Sequence, residues 1–401
     1  MTELLTSEKG PTASPGAERI GGTRAVRRTY SLDEIALVPA ATTIDPHDVD
    51  LSWSVGRYRF TLPFIASAMD SVVDIPVAIA LSRMGALGVL NLEGLHTRYD
   101  NPDEVLARIA AVAPEEAVGL MQRLYQEPVK DHLVGARVRA LVEGGAVAAV
   151  SMTPAAAARL LPVADRAGAH IIVIQSTVVT ARHYSSQGTS VSIRELIEAT
   201  NVPVLVGNCV GSGAALALLE AGAAGVFVGV GPGAACTSRR VLGVGVPQAT
   251  AIADVAAARD EYEGRTGRYV PVIADGGIAV GGDVAKAIAC GADAVMLGSA
   301  LARADEAPGR GTHWGMAAPH AALPRGTRVK VQQNGSLRQI LSGPATSDDG
   351  SQNLGEALRT AMGICGARTI HEMHGVEIII APTLASEGKA LQFSQRVGQG
   401  R

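Results

Sequence analysis

The sequence predicts an α/β protein folded as one (β/α)8 barrel. Eight short apolar runs rich in β-branched residues recur along the chain, and alanine-rich segments with helical character separate them. Their unbroken apolar character, rather than strict alternation, is typical of strands buried on both faces. The predicted strands are Pro63–Ala66, Leu87–Leu90, Val147–Val150, Ile171–Ile174, Val204–Val206, Gly225–Val228, Val272–Ala274 and Ala294–Leu297.

Helical segments fill the intervals between these runs, as parallel strands require. The interval from Asn91 to Gly145 is the longest and contains amphipathic stretches at Pro102–Ala110 and Val134–Val142, which leaves no room for an inserted domain of ordinary size. The clearest crossover helices are predicted at Ser192–Thr200, Ser212–Ala221, Ala249–Tyr262 and Gly282–Ala289.

Composition narrows the class of protein. The chain has 401 residues, of which 47% are hydrophobic and 18% charged, and its formal net charge is -3. This balance gives no electrostatic reason to expect nucleic acid as a partner, and 3% aromatic residues offer few stacking platforms. No apolar run is long enough to span a membrane, and four scattered cysteines without a C-x-x-C pair fit a reducing compartment. We therefore expect a cytoplasmic protein without membrane contact.

Two stretches differ from the barrel pattern. Residues 1–24 are rich in Ser, Thr, Gly and Pro, which predicts a flexible N-terminal tail before a single catalytic barrel over 25–401. Residues 305–330 are rich in Gly, Pro, Ala and His and follow the last strand. A long segment with few structural signals inside a compact fold is often functional, so we expect an active-site flap there, followed by a C-terminal tail.

A cysteine ends the glycine-rich loop that follows the sixth strand. The loop runs from Gly229 to Cys236 and continues into two arginines, Arg239 and Arg240. Glycines allow the backbone to approach a ligand closely, and nearby arginines favour the reactive thiolate. A buried structural cysteine is the commoner fate of an isolated thiol, but such a cysteine needs none of these neighbours. The pattern favours a nucleophile.

Polar and glycine residues also follow five other predicted strands. Barrel enzymes carry their chemistry at the carboxyl ends of the strands, so these residues are candidates for one site. Ordinary turn chemistry explains one or two of them more easily than the full set. They are Ser67 and Asp70, Gln175 to Thr177, Gly207 and Asn208, Asp275 to Gly277, and Gly298 with Ser299.

The last two loops indicate the kind of ligand. Gly277 and Gly298 can offer backbone N–H groups to a phosphate, and Ser299 adds a hydroxyl. Asp275 accepts hydrogen bonds only when ionised, which suits two ribose hydroxyls, although Asp-Gly-Gly is also a common tight turn. Together they predict a phosphorylated, ribose-bearing ligand beside Cys236.

From Thr29 to Gln399 the chain resembles the IMP dehydrogenase/GMP reductase family. It lacks the tandem CBS insertion that many IMP dehydrogenases carry, and it is most similar to the short, CBS-lacking branch of actinobacteria and cyanobacteria. The Cys loop followed by Gly-Val-Pro-Gln is the most specific of the matching motifs. These are Tyr30–Pro39, Ser67–Asp70, Gly229–Arg239 with Val241–Gln248, Ile273–Ile278, Ala294–Ser299 and Glu387-Gly388.

The resemblance implies a reaction: IMP dehydrogenation to XMP with NAD. In that family the cysteine, here Cys236, attacks C2 of the purine, hydride passes to NAD, and water hydrolyses the resulting thioimidate (E-XMP). Ser238 occupies the position of the family's catalytic Thr.

The resemblance also implies binding residues. For the substrate IMP they are Ser67, Asp275, Gly277, Gly298, Ser299, Gly315 and Met316. For NAD they are Gln175, Ser176, Asn208 and Gly229. A potassium ion would be held by Gly231, Gly233 and Cys236, completed by Glu387 and Gly388 of a neighbouring subunit. Such a shared ion implies a homotetramer, with an octamer as the alternative.

The chain departs from the family at several positions. Ala234 and Gln175 stand where the family has a phosphate-binding Ser and a cofactor-facing Asp, and His313-Trp-Gly-Met-Ala-Ala318 replaces Tyr-Arg-Gly-Met-Gly-Ser. The flap is short and lacks the Arg-Tyr pair that activates water in IMP dehydrogenases, and Pro319 stands in place of the reductase Glu. The candidates to replace that base are His313, His320 and Arg325, of which we assign catalytic roles to His320 and Arg325.

Two other functions remain open at this point. The first is a GMP reductase that converts GMP to IMP with NADPH. The second is a weakly active purine-nucleotide binder that regulates another enzyme, which the missing flap pair favours. The intact Cys236-x-Ser238 arrangement favours an enzyme, because a binding protein needs no thiol there.

Overall fold

Eight parallel strands close into a barrel in the computed structural model, which describes residues 18–20, 24–183, 192–315, 328–381, 392, 394–395 and 397–398. The first and last strands pair with each other, Val295 opposite Phe64, and complete the ring. The predicted (β/α)8 fold is confirmed. The barrel strands are β1 Phe64–Ala66, β2 Leu87–Asn91, β3 Ala149–Met152, β4 Ile171–Gln175, β5 Val204–Cys209, β6 Gly225–Val228, β7 Val272–Asp275 and β8 Ala294–Leu297.

Each predicted strand coincides with an observed one, and the differences lie at the ends. β3 begins two residues after the predicted start at Val147, whose amide donates to the Ser82 hydroxyl at 3.1 Å instead of joining the sheet. β5 extends to Cys209, past the apolar run, because pairing with β6 resumes after a register shift at Gly207. Because Gly207 and Asn208 interrupt the apolar run, the sequence pattern predicts a shorter β5 than the structure contains.

Helices surround the barrel in the described residues. The interval between β2 and β3 holds three of them, at Pro102–Ala111, Pro114–Leu124 and Asp131–Glu143. The sequence pattern predicted only the first and the last of these three. The helices are α1 Ile75–Arg83, α2 Pro102–Ala111, α3 Pro114–Leu124, α4 Asp131–Glu143, α5 Pro154–Arg166, α6 Ile193–Glu198, α7 Ser212–Glu220, α8 Ser238–Leu242, α9 Gln248–Thr266, α10 Gly281–Ala289, α11 Ser299–Ala302, α12 Leu337–Ser342, α13 Leu354–Ile364 and α14 Ile370–Met373. Short 3-10 turns lie at Leu32–Glu34, Pro46–Asp48 and Leu95–Thr97.

In the part of the chain that the structure describes, four two-stranded antiparallel pairs accompany the barrel. One of them, Glu18–Ile20 with Arg24–Val26, falls partly within the predicted N-terminal tail, where two short runs flank Gly21-Gly22 in the sequence. The other pairs are Trp53–Val55 with Tyr58–Phe60, Ile35–Leu37 with Ile378–Ile380, and Thr312–His313 with Val329–Lys330.

Alternate residues of the strands build two separate layers of core. Phe227 and Ile273 point into the barrel, whereas Val226 and Val272 pack outward against the helices. This alternation follows from the two-residue period of a strand. Trp53 and Phe60, with ring centroids 5.1 Å apart, belong to the inner layer and lie in the strand pair that precedes β1. No helix in the described part of the chain is long and apolar enough to cross a membrane.

A buried ion pair joins the amino ends of β7 and β8. Asp293, directly before β8, accepts hydrogen bonds from the Val272 amide at 2.8 Å and the Tyr269 hydroxyl at 2.5 Å. The Arg259 guanidinium, from α9, lies 3.3 Å from the same carboxylate, and both side chains are less than a tenth exposed. This network links β7 and β8 at the amino end of the barrel, opposite the face that carries the polar loops.

We predict that Asp293→Ala lowers the free energy of unfolding by about 3–5 kcal/mol, because the buried Arg259 guanidinium then loses its buried carboxylate partner. Asp260→Ala is the matched control: that carboxylate also contacts Arg259 but is 64% exposed, so the cost should stay below about 1 kcal/mol. Urea denaturation of both variants measures the difference. Equal losses would contradict the structural role given to Asp293.

Candidate active site

A cavity of about 740 Å³ opens at the carboxyl ends of the barrel strands. Residues at the carboxyl ends of all eight strands, within the last residues of a strand or just past it, line the cavity, from Ser67 after β1 to Ser299 after β8. Its size suits a nucleotide-sized ligand. The face on which the sequence predicted the site is therefore the face that carries the cavity.

Cys236 differs from the other thiols of the described chain. It lies on the loop after β6, lines the cavity, and is exposed. Burial raises the pKa of the Cys209 and Cys290 thiols to about 12 each, so those two are unreactive near neutral pH. The structural-cysteine alternative fits them and does not fit Cys236.

The Cys236 thiol has a hydroxyl partner. Its Sγ lies 3.3 Å from Oγ of Ser238, which is buried and begins helix α8. Ser238 thus stands where it can exchange a proton with the sulfur or with a group bound to it. The structure brings two of the four predicted catalytic residues, Cys236 and Ser238, together.

Glycines let this loop lie against the strand beside it. At Gly229, with φ of 146°, an added Cβ would come within 2.2 Å of the Asp275 carbonyl oxygen. Arg239 packs across Gly231 and donates to the Val246 carbonyl at 2.7 Å. Arg239 therefore braces the loop. Its predicted help to the thiolate stays a prediction.

A polar cluster forms at the ends of β4, β5 and β7. The Gln175 amide nitrogen donates to Oδ1 of Asn208 at 2.8 Å and to Oδ2 of Asp275 at 2.9 Å. Asn208 donates in turn to the same Asp275 oxygen at 2.7 Å and to the Gly229 carbonyl at 2.8 Å. Two neutral amides thus hold one carboxylate oxygen and fix its orientation.

Burial raises the pKa of Asp275 to about 6, and the hydrogen bonds from Asn208 and Gln175 partly oppose this shift. The carboxylate is consequently ionised at neutral pH and becomes protonated as the pH falls through about 6. An ionised carboxylate in this position can accept hydrogen bonds from a pair of hydroxyls.

The expected phosphate region also comes together at the cavity. Gly277, Gly298 and Ser299 line it, and Gly298 adjoins Ser67, whose hydroxyl would lie 3.6 Å from an added Cβ. The Ser299 hydroxyl is 3.2 Å from Nε2 of His313. His313 is buried, and its burial lowers the pKa of the imidazole, which favours the neutral ring.

Several lining residues were missed by the sequence analysis. Asn91 and Ser151 are the first residues past the second and third apolar runs, so the rule applied to the other six strands would have found them. Glu93 also lines the cavity and accepts from the Thr153 amide at 2.6 Å and from its hydroxyl at 3.2 Å.

Gln248, which ends the Gly-Val-Pro-Gln motif, was missed as well. It is buried and donates to the carbonyls of Val228 at 3.0 Å and Asp275 at 3.3 Å. It thereby ties the cysteine loop to β7, a role that has no local sequence signal.

Five predicted site residues lie outside the described residues: Met316, His320, Arg325, Glu387 and Gly388. Their roles stay predictions. The remaining members of the predicted substrate and cofactor sets, Gly315 and Ser176, line the cavity.

The predicted potassium ligands of this chain are backbone carbonyls of one turn. Within it the Cys236 amide donates to the Gly233 carbonyl at 3.0 Å, which leaves that oxygen a second lone pair, and Gly231 adopts a φ of 82° that brings the chain round. Carbonyl oxygens suit a hard monovalent cation. Among the described residues no group of three or more His, Cys, Asp or Glu could hold a metal ion.

Comparison with known proteins assigns the family. Residues 29–389 match the model of the IMP dehydrogenase / GMP reductase domain. The chain belongs to the IMP dehydrogenase/GMP reductase family. The match runs through one uninterrupted barrel, and the described residues contain no inserted CBS domain, as predicted.

The relatives of this family member differ in what their names state. An uncharacterized oxidoreductase of Mycolicibacterium smegmatis is 42% identical, covering 90% of this chain and 99% of the relative. The inosine-5'-monophosphate dehydrogenase of Methanocaldococcus jannaschii is 31% identical over 71% of this chain and 74% of that protein. The crystal structure of an IMP dehydrogenase/GMP reductase-like protein from Corynebacterium glutamicum superimposes with a TM-score of 0.86 at 38% identity. The match covers 91% of this chain and 97% of that protein.

We predict that Gln175→Glu raises the pKa of Asp275 above about 6, since a second carboxylate replaces a donor 2.9 Å away. The protonated form of Asp275 then persists to higher pH. NMR titration of protein labelled at aspartate Cγ, with the signal assigned by Asp275→Asn, measures the midpoint. Gln175→Leu is the control: it removes the donor without adding a charge, so the midpoint of Asp275 should shift less. An unchanged midpoint in Gln175→Glu would contradict the role given to Gln175.

Proposed function

We propose that this protein is an IMP dehydrogenase, which oxidises IMP to XMP with NAD in guanine nucleotide synthesis. The observation that carries the proposal is the exposed, serine-partnered Cys236 on a loop lining the same cavity as the Asp275 cluster. The family and the relation to a named IMP dehydrogenase support it.

The cavity offers a place for each part of the nucleotide. The ionised Asp275, held by Gln175 and Asn208, would accept hydrogen bonds from the two ribose hydroxyls, with Ser67 beside it. Backbone N–H groups of the last two loops and the Ser299 hydroxyl would hold the phosphate. The family resemblance gives the base to the backbone at Gly315, which lines the cavity, and at Met316. The purine ring would then lie beside the cysteine loop.

Cys236 then acts as a covalent nucleophile. Its sulfur, having lost its proton, would bond to C2 of the purine, and bound NAD would supply the acceptor for the hydride that leaves C2 with its electron pair. Water next adds to C2 of the thioimidate, the carbon–sulfur bond breaks, and XMP and the thiol are released. Overall, IMP, NAD and water give XMP, NADH and a proton.

The proton movements need groups near the sulfur. Ser238, 3.3 Å from Sγ, is the described residue best placed to exchange a proton there. We assign activation of the hydrolytic water to His320 and Arg325, two of the basic residues of the predicted flap segment.

NAD would lie towards Gln175, Ser176, Asn208 and Gly229. The amide groups of Gln175 and Asn208 are engaged with each other and with Asp275, so they would support the dinucleotide site by fixing its wall. A potassium ion on the carbonyls of Gly231, Gly233 and Cys236, completed by Glu387 and Gly388 of a neighbouring subunit, would steady the cysteine loop in a homotetramer or an octamer. The enzyme would work in the cytoplasm.

GMP reductase activity is the second candidate, since the matching domain covers both activities. It would run with NADPH and release ammonia from GMP through an adduct on the same cysteine. Pro319 stands where reductases have their Glu, which favours the dehydrogenase.

A paired assay in potassium buffer decides between the candidates. One reaction contains IMP and NAD, the other GMP and NADPH, and both are followed by nicotinamide absorbance. We predict NADH only in the first, with XMP confirmed by chromatography. NADPH oxidation only in the second would establish the reductase instead.

Cys236→Ala is the control for the chemistry. We predict loss of turnover by at least about a thousandfold with IMP affinity kept within about tenfold, because the sulfur forms the bond but the cavity holds the nucleotide. Nucleotide binding without turnover in either wild-type reaction would leave the regulatory binder as the function.

A further inference from the structure

Trp314 is fully buried, yet it packs outside the barrel core. It belongs to a separate buried cluster built mainly by α2, α3 and the 3-10 turn before them, which includes Leu95, Leu106, Ile109, Leu124 and Tyr125. The residues on either side of it, His313 and Gly315, line the active-site cavity. What holds the indole therefore also holds this wall of the cavity.

A chain of hydrogen bonds leads from the indole to a buried carboxylate. Nε1 of Trp314 donates to the Tyr125 hydroxyl at 2.8 Å, and this hydroxyl donates to Oδ2 of Asp70 at 2.5 Å. The Leu95 amide donates to the same oxygen at 2.8 Å. Because an indole N–H can only donate, the Tyr125 hydroxyl accepts from it and directs its own hydrogen to Asp70.

Asp70 ends the segment that carries Ser67. Ser67 and Met69 line the cavity, and the Met69 amide donates to the Ser67 carbonyl at 2.7 Å. Asp70 is itself completely buried and lies so close to Gly94 that an added Cβ would come within 1.8 Å of Oδ1. The Asp70 carboxylate is therefore closely packed, three residues along the chain from Ser67.

The same helices hold the chain again at Arg328. This buried guanidinium donates to the Ile109 carbonyl and, at 3.3 Å, to the Ala110 carbonyl, in the last turn of α2. A positive charge is favourable at the carboxyl end of a helix. Thr312–His313 also pairs with Val329–Lys330, so α2 and α3 support both strands of this pair.

We propose that Tyr125 is a positioning residue for the active site. Its hydroxyl joins Trp314 to Asp70 and so sets the Ser67 side and the His313 side of the cavity in one fixed arrangement. The consequence for nucleotide binding rests on the proposed function, whereas the placement of His313 does not.

The test compares Tyr125→Phe with Tyr99→Phe. Tyr99 packs against the same cluster and its hydroxyl donates to the Leu124 carbonyl at 3.0 Å, so the control loses one hydrogen bond there without touching the chain to Asp70. The first measurement is the rate at which diethyl pyrocarbonate modifies His313, followed by peptide mass spectrometry. The second is the affinity for IMP and for GMP, measured by calorimetry.

In Tyr125→Phe we expect His313 to be modified at least about fivefold faster and nucleotide affinity to fall about tenfold, because the indole N–H loses its partner. Tyr99→Phe should match the wild type in both measurements. Equal behaviour of the two variants would overturn the proposal. If Tyr125→Phe does not fold, Trp314→Phe removes the same link from the other end and carries the same expectation. If the wild type binds neither nucleotide, the proposed function fails, and the His313 rates alone decide the role of Tyr125.

Discussion

Closing a parallel sheet on itself brings the carboxyl ends of all eight strands to one face, and the chemistry of this protein depends on that closure. Val295 opposite Phe64 completes the ring, and residues far apart in sequence then share one cavity. Asp275 meets Gln175 and Asn208, although one hundred residues separate it from Gln175. At the opposite face the Arg259–Asp293 pair helps hold β7 and β8, so the register that sets the cavity is supported where no substrate would bind.

The cavity separates reactive from unreactive groups by burial. Cys236 is exposed to it with a hydroxyl beside the sulfur, whereas burial keeps the Cys209 and Cys290 thiols protonated. Burial also raises the pKa of Asp275 towards neutrality, and two amide donors keep the carboxylate ionised at the pH of a cell. Replacing a second carboxylate by Gln175 avoids repulsion of like charges at 2.9 Å. The departure from the family pattern at this position thus has an electrostatic consequence inside the cavity.

The fold and the position of the site could be predicted from sequence because both leave local signals. Strands buried on both faces are apolar throughout, and the residues just past them, such as Ser67, Asn208 and Asp275, face the cavity. What could not be predicted depends on distant partners. The role of Gln175 requires knowing that β4 and β7 open into one cavity, and the Trp314–Tyr125–Asp70 chain joins three segments with no shared motif. Helix α3 has a local signal that was not used, because Ala117, Leu120, Met121 and Leu124 recur at helical spacing on one buried face.

The proposed reaction depends on a covalent bond between the Cys236 sulfur and C2 of the purine. The most direct measurement is to quench the enzyme with acid while it turns over IMP and NAD, digest it, and weigh the peptide that contains Cys236 by mass spectrometry. We expect a nucleotide adduct on that peptide when IMP and NAD are both present, and no adduct when NAD is omitted. Turnover without any adduct on Cys236, in enzyme quenched across the whole time course, would contradict it.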